Sequence, residues 1–130
     1  MVIDSSALIA ILLNEPENAS FSKLIGTASQ RLVSACSVLE TAIVIEARKQ
    51  EQGIREFDLL LLEADLTIVP FDKKQLDLAR YAFSTYGKGR HPADLNMGDC
   101  YSYALSHAKC QPLLFKGADF SKTDVLQVQL

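Results

Sequence analysis

Short β-prone runs alternate along this chain with longer helical stretches, and that alternation leaves few folds open. Met1-Val2-Ile3, Arg31-Leu32-Val33-Ser34, Leu66 to Val69 and Leu113-Leu114-Phe115 read as strands, with Val125 to Leu130 as a fifth candidate. Helical segments lie between them. Ser5-Ser6 starts one that runs through Ala7 to Leu13. Asn14-Glu15-Pro16 ends it, because proline restricts the residue before it and lacks an amide donor. Glu17 to Ala28 is a second. Ser37 to Gln52 carries Leu39, Ile43 and Ala47 at spacing four, flanked by Ala42 and Ile45. Gly53 interrupts that helix, and Ile54 to Ala64 follows with Phe57, Leu60 and Leu61 on one side. Asp72 begins a helix through Leu76, Ala79, Ala82 and Phe83. Tyr86 to Leu95 is irregular, and Asn96 restarts a helix to about Lys109. Strands joined through helices predict an α/β fold, a mainly parallel sheet with helices on both faces. Ligands in such sheets sit beyond the carboxyl ends of the strands. The pattern does not reveal strand order.

Size and charge narrow the function. The 130 residues, 48% of them hydrophobic and 22% charged, fit one domain spanning 1–130 with a real core. The longest near-apolar run, Ala7 to Leu13, is far short of the about 20 residues a membrane span needs. Met1-Val2-Ile3-Asp4 lacks the basic start of a secretory signal, so a cytoplasmic protein is expected. Cys36, Cys100 and Cys110 are odd in number and lack CxxC spacing, which speaks against a disulfide framework or a cysteine-built zinc site. Small buried hydrophobes are the expected role. A net charge of -3 excludes binding to nucleic acid by overall charge. Any such contact must be local, with acidic pockets masked by cations.

Sixteen acids are present. Glu46, Glu51, Glu56 and Glu63 fall on helices among Arg48, Lys49 and Arg55 and read as solvated faces. Four others stand apart. Asp4 ends the first strand, Glu40 and Asp99 come early in helices, and Asp119 follows the fourth strand after Lys116-Gly117-Ala118. In a parallel sheet all four lie near the carboxyl edge, far apart in sequence yet able to converge. Helix capping is the ordinary reading for each alone. Asp4 can cap the helix from Ser5, Ser37-Val38-Leu39-Glu40 has capping-box spacing, and Asn96-Met97-Gly98-Asp99 is a looser version. The readings are compatible, because a helix amino terminus favours an ionised carboxylate. Gathered carboxylates raise one another's pKa, and a bound cation relieves that. Hard oxygen donors without a histidine or thiolate pattern select Mg²⁺, with Mn²⁺ as substitute. Such a site supports water attack on a phosphodiester. Asp4 and Asp99 would hold the metal, Glu40 would orient or deprotonate the water, and Asp119 would complete the ring.

At these residues the chain resembles a PIN-domain ribonuclease, the toxin of a VapBC-type toxin–antitoxin pair. The matching stretches are Val2-Ile3-Asp4-Ser5-Ser6-Ala7-Leu8, then Leu39-Glu40, then Tyr86-Gly87-Lys88-Gly89-Arg90-His91 leading into Leu95-Asn96-Met97-Gly98-Asp99-Cys100. The last is Pro112-Leu113-Leu114-Phe115-Lys116-Gly117-Ala118-Asp119-Phe120, with Thr123-Asp124 behind it. The resemblance implies a Rossmann-like three-layer α/β/α sandwich and Mg²⁺-dependent endoribonuclease activity. It also implies a small cognate VapB-like antitoxin, and homodimers or toxin–antitoxin assemblies. Carried over by motif, the metal aspartates are Asp4 and Asp99, with Glu40 and Asp119 as the other acids. Many PIN domains place a Thr or Ser and an Asn before the fourth acid; Phe115-Lys116-Gly117 stands there instead, and Asp124 competes with Asp119 for the role.

RNA contact falls to the segment before Asp99. From Lys88 to Lys122, Lys88, Arg90, Lys109, Lys116 and Lys122 stand against Asp94, Asp99 and Asp119. Lys88 and Arg90 can reach phosphates beside the metal, and Tyr86 and His91 can stack on an unpaired base. His107 is expected to be structural. Leu12, Leu13, Phe57, Leu60 and Leu61 could line an antitoxin groove, with internal core as the ordinary alternative. Two rivals to the nuclease remain. One is a phosphatase with Asp4 as nucleophile, though Ser6 stands where that chemistry wants a second aspartate. The other is a PIN-like RNA- or protein-binding module whose acids only cap helices.

Overall fold

The computed structural model describes all residues, Met1–Leu130. Its sheet has four strands in the order β3-β2-β1-β4, with β1 at Val2–Ile3, β2 at Leu32–Ser34, β3 at Thr67–Val69 and β4 at Leu113–Leu114. Every pairing is parallel, with Val2 opposite both Leu32 and Leu113. The fifth strand expected over Val125 to Leu130 does not form. That segment makes one isolated bridge, Leu113 to Gln127, and is tethered by backbone hydrogen bonds of Leu126 and Val128 to Leu113 and by the buried Val125.

Alternation along the strands builds the three layers. Val2, Leu32, Val69 and Leu113 face one core, shared with Ala79, Ala82, Tyr103 and Leu105 of two helices, α4 (Lys73–Tyr86) and α5 (Met97–Lys109). Ile3, Val33 and Leu114 face the other. They meet Leu8, Phe21, Ile45 and Phe57 of α1 (Ser5–Leu12), α2 (Asn18–Thr27) and α3 (Ala35–Glu63). Adjacent residues thus serve opposite cores, as the two-residue period of a strand requires. None of the helices is long and apolar enough to cross a membrane.

Several local expectations shift. The break expected at Gly53 lies at Gln50, whose φ of 50° and ψ of -142° kink α3. Gly53 itself is a close approach: a Cβ there would lie 2.7 Å from the Ile45 side chain. Ser37 does not cap α3. Ser34 does, accepting from the Cys36 amide, so Ser37 falls inside the helix and the Ser37–Glu40 box is not made. Leu39 and Ile43, the apolar row of that helix, are 62% and 59% exposed, while Ser37, Thr41 and Ile45 face inward. Leu12 and Phe57 are buried, and Leu13, Leu60 and Leu61 pack against the same core, so core is what they form. Cys100 is buried and Cys36 half-buried, but Cys110 is exposed, capping α5 in the left-handed conformation (φ 51°).

Candidate active site

β1 and β4 are sheet neighbours although β4 follows β3 in the chain, so the strand order, but not the strand direction, reverses at β1. Crevices for ligands open at such a reversal. Asp4 is the single residue between β1 and α1. Its Oδ2 accepts from the Ser6 amide at 3.1 Å, capping α1, and from the Ser6 hydroxyl at 2.6 Å. Ser6 Oγ accepts in turn from the Lys116 amide, just past β4, at 2.9 Å. Across the site, Ser102 of α5 donates to Asp4 Oδ1 at 2.5 Å. Asp4 is 2% exposed. Burial raises its pKa, and the Ser102 and Ser6 hydrogen bonds oppose that rise.

Asp99 sits in the first turn of α5. Its carboxylate accepts from the Asn96 amide at 3.0 Å while Asn96 Oδ1 accepts from the Asp99 amide at 2.9 Å, so the looser capping box is formed in full. Burial pushes its pKa up to about 7, with the Asn96 amide opposing and the charges of Asp4, Asp119 and Glu40 adding to the rise. Glu40 comes from α3 and accepts from Ser5 Oγ at 2.5 Å. Asp119 is exposed, just before a 3₁₀ turn over Phe120–Lys122. Its charge acts on Asp99. Asp124 has other work: its Oδ1 accepts from the Tyr103 hydroxyl at 2.8 Å and meets His107 Nε2 at 3.1 Å, further along α5.

The four acids therefore come from four elements to one edge, and no lysine or arginine pairs with any of them. Carboxylate and hydroxyl oxygens suit Mg²⁺ or Mn²⁺. No three His, Cys, Asp or Glu side chains stand close enough to clasp an ion unaided. Mg²⁺ needs no such clasp, since it keeps several waters and takes one or two carboxylates. The donor set fits that ion, and Asp4 and Asp99 are the residues that could hold it.

The segment before Asp99 divides. Lys88 and Arg90 are exposed, with the Arg90 guanidinium 5.8 Å from the Phe83 ring centre. Tyr86 packs on Tyr103 at 5.9 Å and edge-on to His91 at 5.1 Å, and His91 Nδ1 accepts from the Ala93 amide. Their rings serve the local fold as placed. Lys116 turns away from the acids and pairs with Glu15 at 2.9 Å and Glu17 at 3.3 Å.

Beside the acids lies an apolar face. A cavity of about 570 Å³ between α4 and α5 is lined by Phe71, Leu76, Phe83, Met97 and Tyr101 among others. A smaller one of about 280 Å³ continues it past Met97 and Tyr101 to Leu39 and Ile43, and reaches Glu40. Sequence reasoning missed Ser102 and Gly98. The signal for Ser102 was its spacing of three from Asp99, which puts both on one helix face.

The PIN domain family model matches residues 1–126. Ribonuclease VapC30 of Mycobacterium tuberculosis is 52% identical over 130 residues, covering 100% of this chain and 99% of that protein. Among solved structures, the M. tuberculosis VapC20 toxin, described as cleaving the sarcin-ricin loop, superposes with a TM-score of 0.79 at 14% identity, over 99% of this chain and 98% of that one. VapBC2 of Rickettsia felis, bound to a DNA fragment from its promoter, superposes with a TM-score of 0.75 at 14% identity, over 98% and 96%.

Proposed function

The chain belongs to the PIN domain family, as a VapC-type ribonuclease toxin, and from that membership we propose that it hydrolyses RNA phosphodiesters internally, with Mg²⁺ held by Asp4 and Asp99. The observation that carries this reading is the crowding of charge at one sheet edge: Asp99 is pushed up to about 7 by burial and by three neighbouring acids. Held by Asp4 and Asp99, a divalent ion would relieve that repulsion and would supply Lewis-acid polarisation of the phosphoryl oxygen and of the attacking water.

The chain's own residues do the rest. Asp4 and Asp99 are oriented by their caps before any ligand arrives. Glu40, held by Ser5, orients the attacking water and takes its proton. Asp119 is the fourth acid in preference to Asp124, whose carboxylate is engaged by Tyr103 and His107. Lys88 and Arg90 meet the RNA backbone.

A VapB-like antitoxin is the expected partner, in line with the paired toxin and antitoxin of the Rickettsia felis structure. The apolar face from Leu39 to Phe83 supports a homodimer, because it leaves large side chains in water next to the acids. One observation favours a non-catalytic binding module: Asp4 and Asp99 both cap helices. A phosphatase has less support, since both Asp4 oxygens already accept hydrogen bonds.

Defined RNAs incubated with the full chain decide among these. Cuts within the strand are expected in Mg²⁺, and none in EDTA. Asp4→Asn and Asp99→Asn should bind RNA without cutting it. Cleavage that persists in EDTA or in Asp99→Asn would remove the metal assignment, and RNA left intact by wild type in Mg²⁺ would leave the binding module.

A further inference from the structure

Asp4 is gripped from two sides, and the second grip belongs to no motif. A carboxylate offers about four acceptor positions, two on each oxygen. Both positions of Oδ2 are taken by the Ser6 amide and hydroxyl. The Ser6 hydroxyl has its direction set, since it accepts from the Lys116 amide and so gives its proton to Asp4. On the other side, Ser102 Oγ donates to Oδ1 from 98 residues away. Ser102 is 0% exposed, and so is Ser37 on α3, whose hydroxyl oxygen lies 3.4 Å from that of Ser102. Because Ser102 spends its proton on Asp4, Ser37 is the donor in that pair. The result is a short relay from Ser37 to Ser102 to Asp4, joining α3, α5 and the end of β1.

Neither serine has another side-chain partner. Buried hydroxyls are costly unless they are bonded, and serine is a poorer helix residue than alanine. Their placement makes sense through the carboxylate they address. Hydrogen bonds in a dry interior also strengthen one another along a chain.

We propose that Ser102, backed by Ser37, is a positioning residue for Asp4: it occupies one acceptor position of Oδ1 and fixes the direction in which that oxygen faces the divalent ion. The inference rests on the reading of Asp4 as a metal acid. Partners of metal-ligating carboxylates typically change metal affinity by about 10–100-fold when removed.

Mn²⁺ binding to the full chain, followed by calorimetry alongside thermal melting, tests it. Ser102→Ala should melt within a few degrees of wild type and bind Mn²⁺ about 10–100-fold more weakly. Cleavage of RNA by the variant should recover as Mn²⁺ is raised over the same range. Ser37→Ala, which removes only the donor behind Ser102, should weaken Mn²⁺ binding by a smaller factor. Equal Mn²⁺ affinity in wild type and Ser102→Ala would overturn this inference and leave the metal site standing. Loss of affinity together with loss of the thermal transition would show a structural role only and overturn it as well. Absence of Mn²⁺ binding by wild type would overturn the metal reading and this inference with it.

Discussion

Gly98 of α5 and Glu40 of α3 are in such close contact that a Cβ added to Gly98 would lie 2.0 Å from Glu40 Oε2. The absence of a side chain at Gly98 is what lets this acid approach the head of α5, beside Asp99. Gly98→Ala is accordingly expected to displace the carboxylate, which is the free end of a flexible side chain, and leave the backbone in place. Alanine is up to about 1 kcal/mol better than glycine within a helix, so the melting temperature should hold or rise. RNA cleavage should fall by about 10–100-fold as the Glu40–Ser5 hydrogen bond is lost. Melting and cleavage rates measured on one preparation check both halves. Unimpaired cleavage would mean that the position of Glu40 is immaterial.

Asp99 predicts how stability varies with pH. Its ordinary value is 3.8, and in the folded chain it is pushed up to about 7. Between those values the folded protein keeps a proton that the unfolded chain releases. The resulting stability is therefore complete below pH 3.8 and is lost as pH rises through about 7. In EDTA, Asp99→Asn should lack that loss and melt above wild type by about a few degrees at pH 8. Mg²⁺, held as proposed by the folded site alone, should raise the melting temperature of wild type at the same pH. Melting curves from pH 4 to 8, with and without Mg²⁺, read the difference directly. Parallel curves for the two proteins in EDTA would contradict the crowding of charge.

What could be read from the sequence was whatever local punctuation announces. Asp4 stands where a strand meets a helix, and Asn96 to Asp99 spell a cap, so both acids could be placed at the sheet edge. Glu40 could be placed because it comes early in the helix after the second strand; only its alternative reading, a box with Ser37, fails, since the helix already begins at Ala35 behind Ser34. Spacing of three puts Ser102 on the Asp99 face of α5, but its bond to a carboxylate 98 residues away could not be read, because a serine inside a helix says nothing of so distant a partner. The outward face of α3 was equally hidden. Periodicity reports that Leu39 and Ile43 share a face, but not which face the sheet will cover, and Ser37, Thr41 and Ile45 are the residues it covers. Val125 to Leu130 has strand composition, yet only Gln127 finds a bridge at the edge.

The exposed apolar face makes a prediction about assembly. Leu39, Ile43 and Met97 are 62%, 59% and 70% exposed, on adjoining helices, where a single scattered hydrophobe would need no explanation. Ile43→Asp should leave the melting temperature within about a few degrees, as surface changes usually do. If the face joins two copies, light scattering should give a dimer mass for wild type and a monomer mass for the variant. A monomeric wild type at micromolar concentration would assign the face to another partner.

Charge on the segment before Asp99 makes the last prediction. The chain is acidic overall at -3, so RNA must be held by a local cluster, and Lys88 and Arg90 are exposed and free of carboxylate partners. Lys116, close to the acids in sequence, is spent on Glu15 and Glu17 and is not expected to contribute. Each phosphate neutralised releases counterions, giving a slope of about -0.7 in log K against log salt per contact on single strands. Lys88→Ala with Arg90→Ala should thus weaken RNA binding and flatten that slope by about 1.4. Lys116→Ala should leave the slope alone. Binding of a catalytically silent Asp99→Asn background to labelled RNA across a salt series separates the two cases, because cleavage no longer depletes the ligand. A slope unchanged by the double substitution would put the backbone contacts elsewhere on the surface.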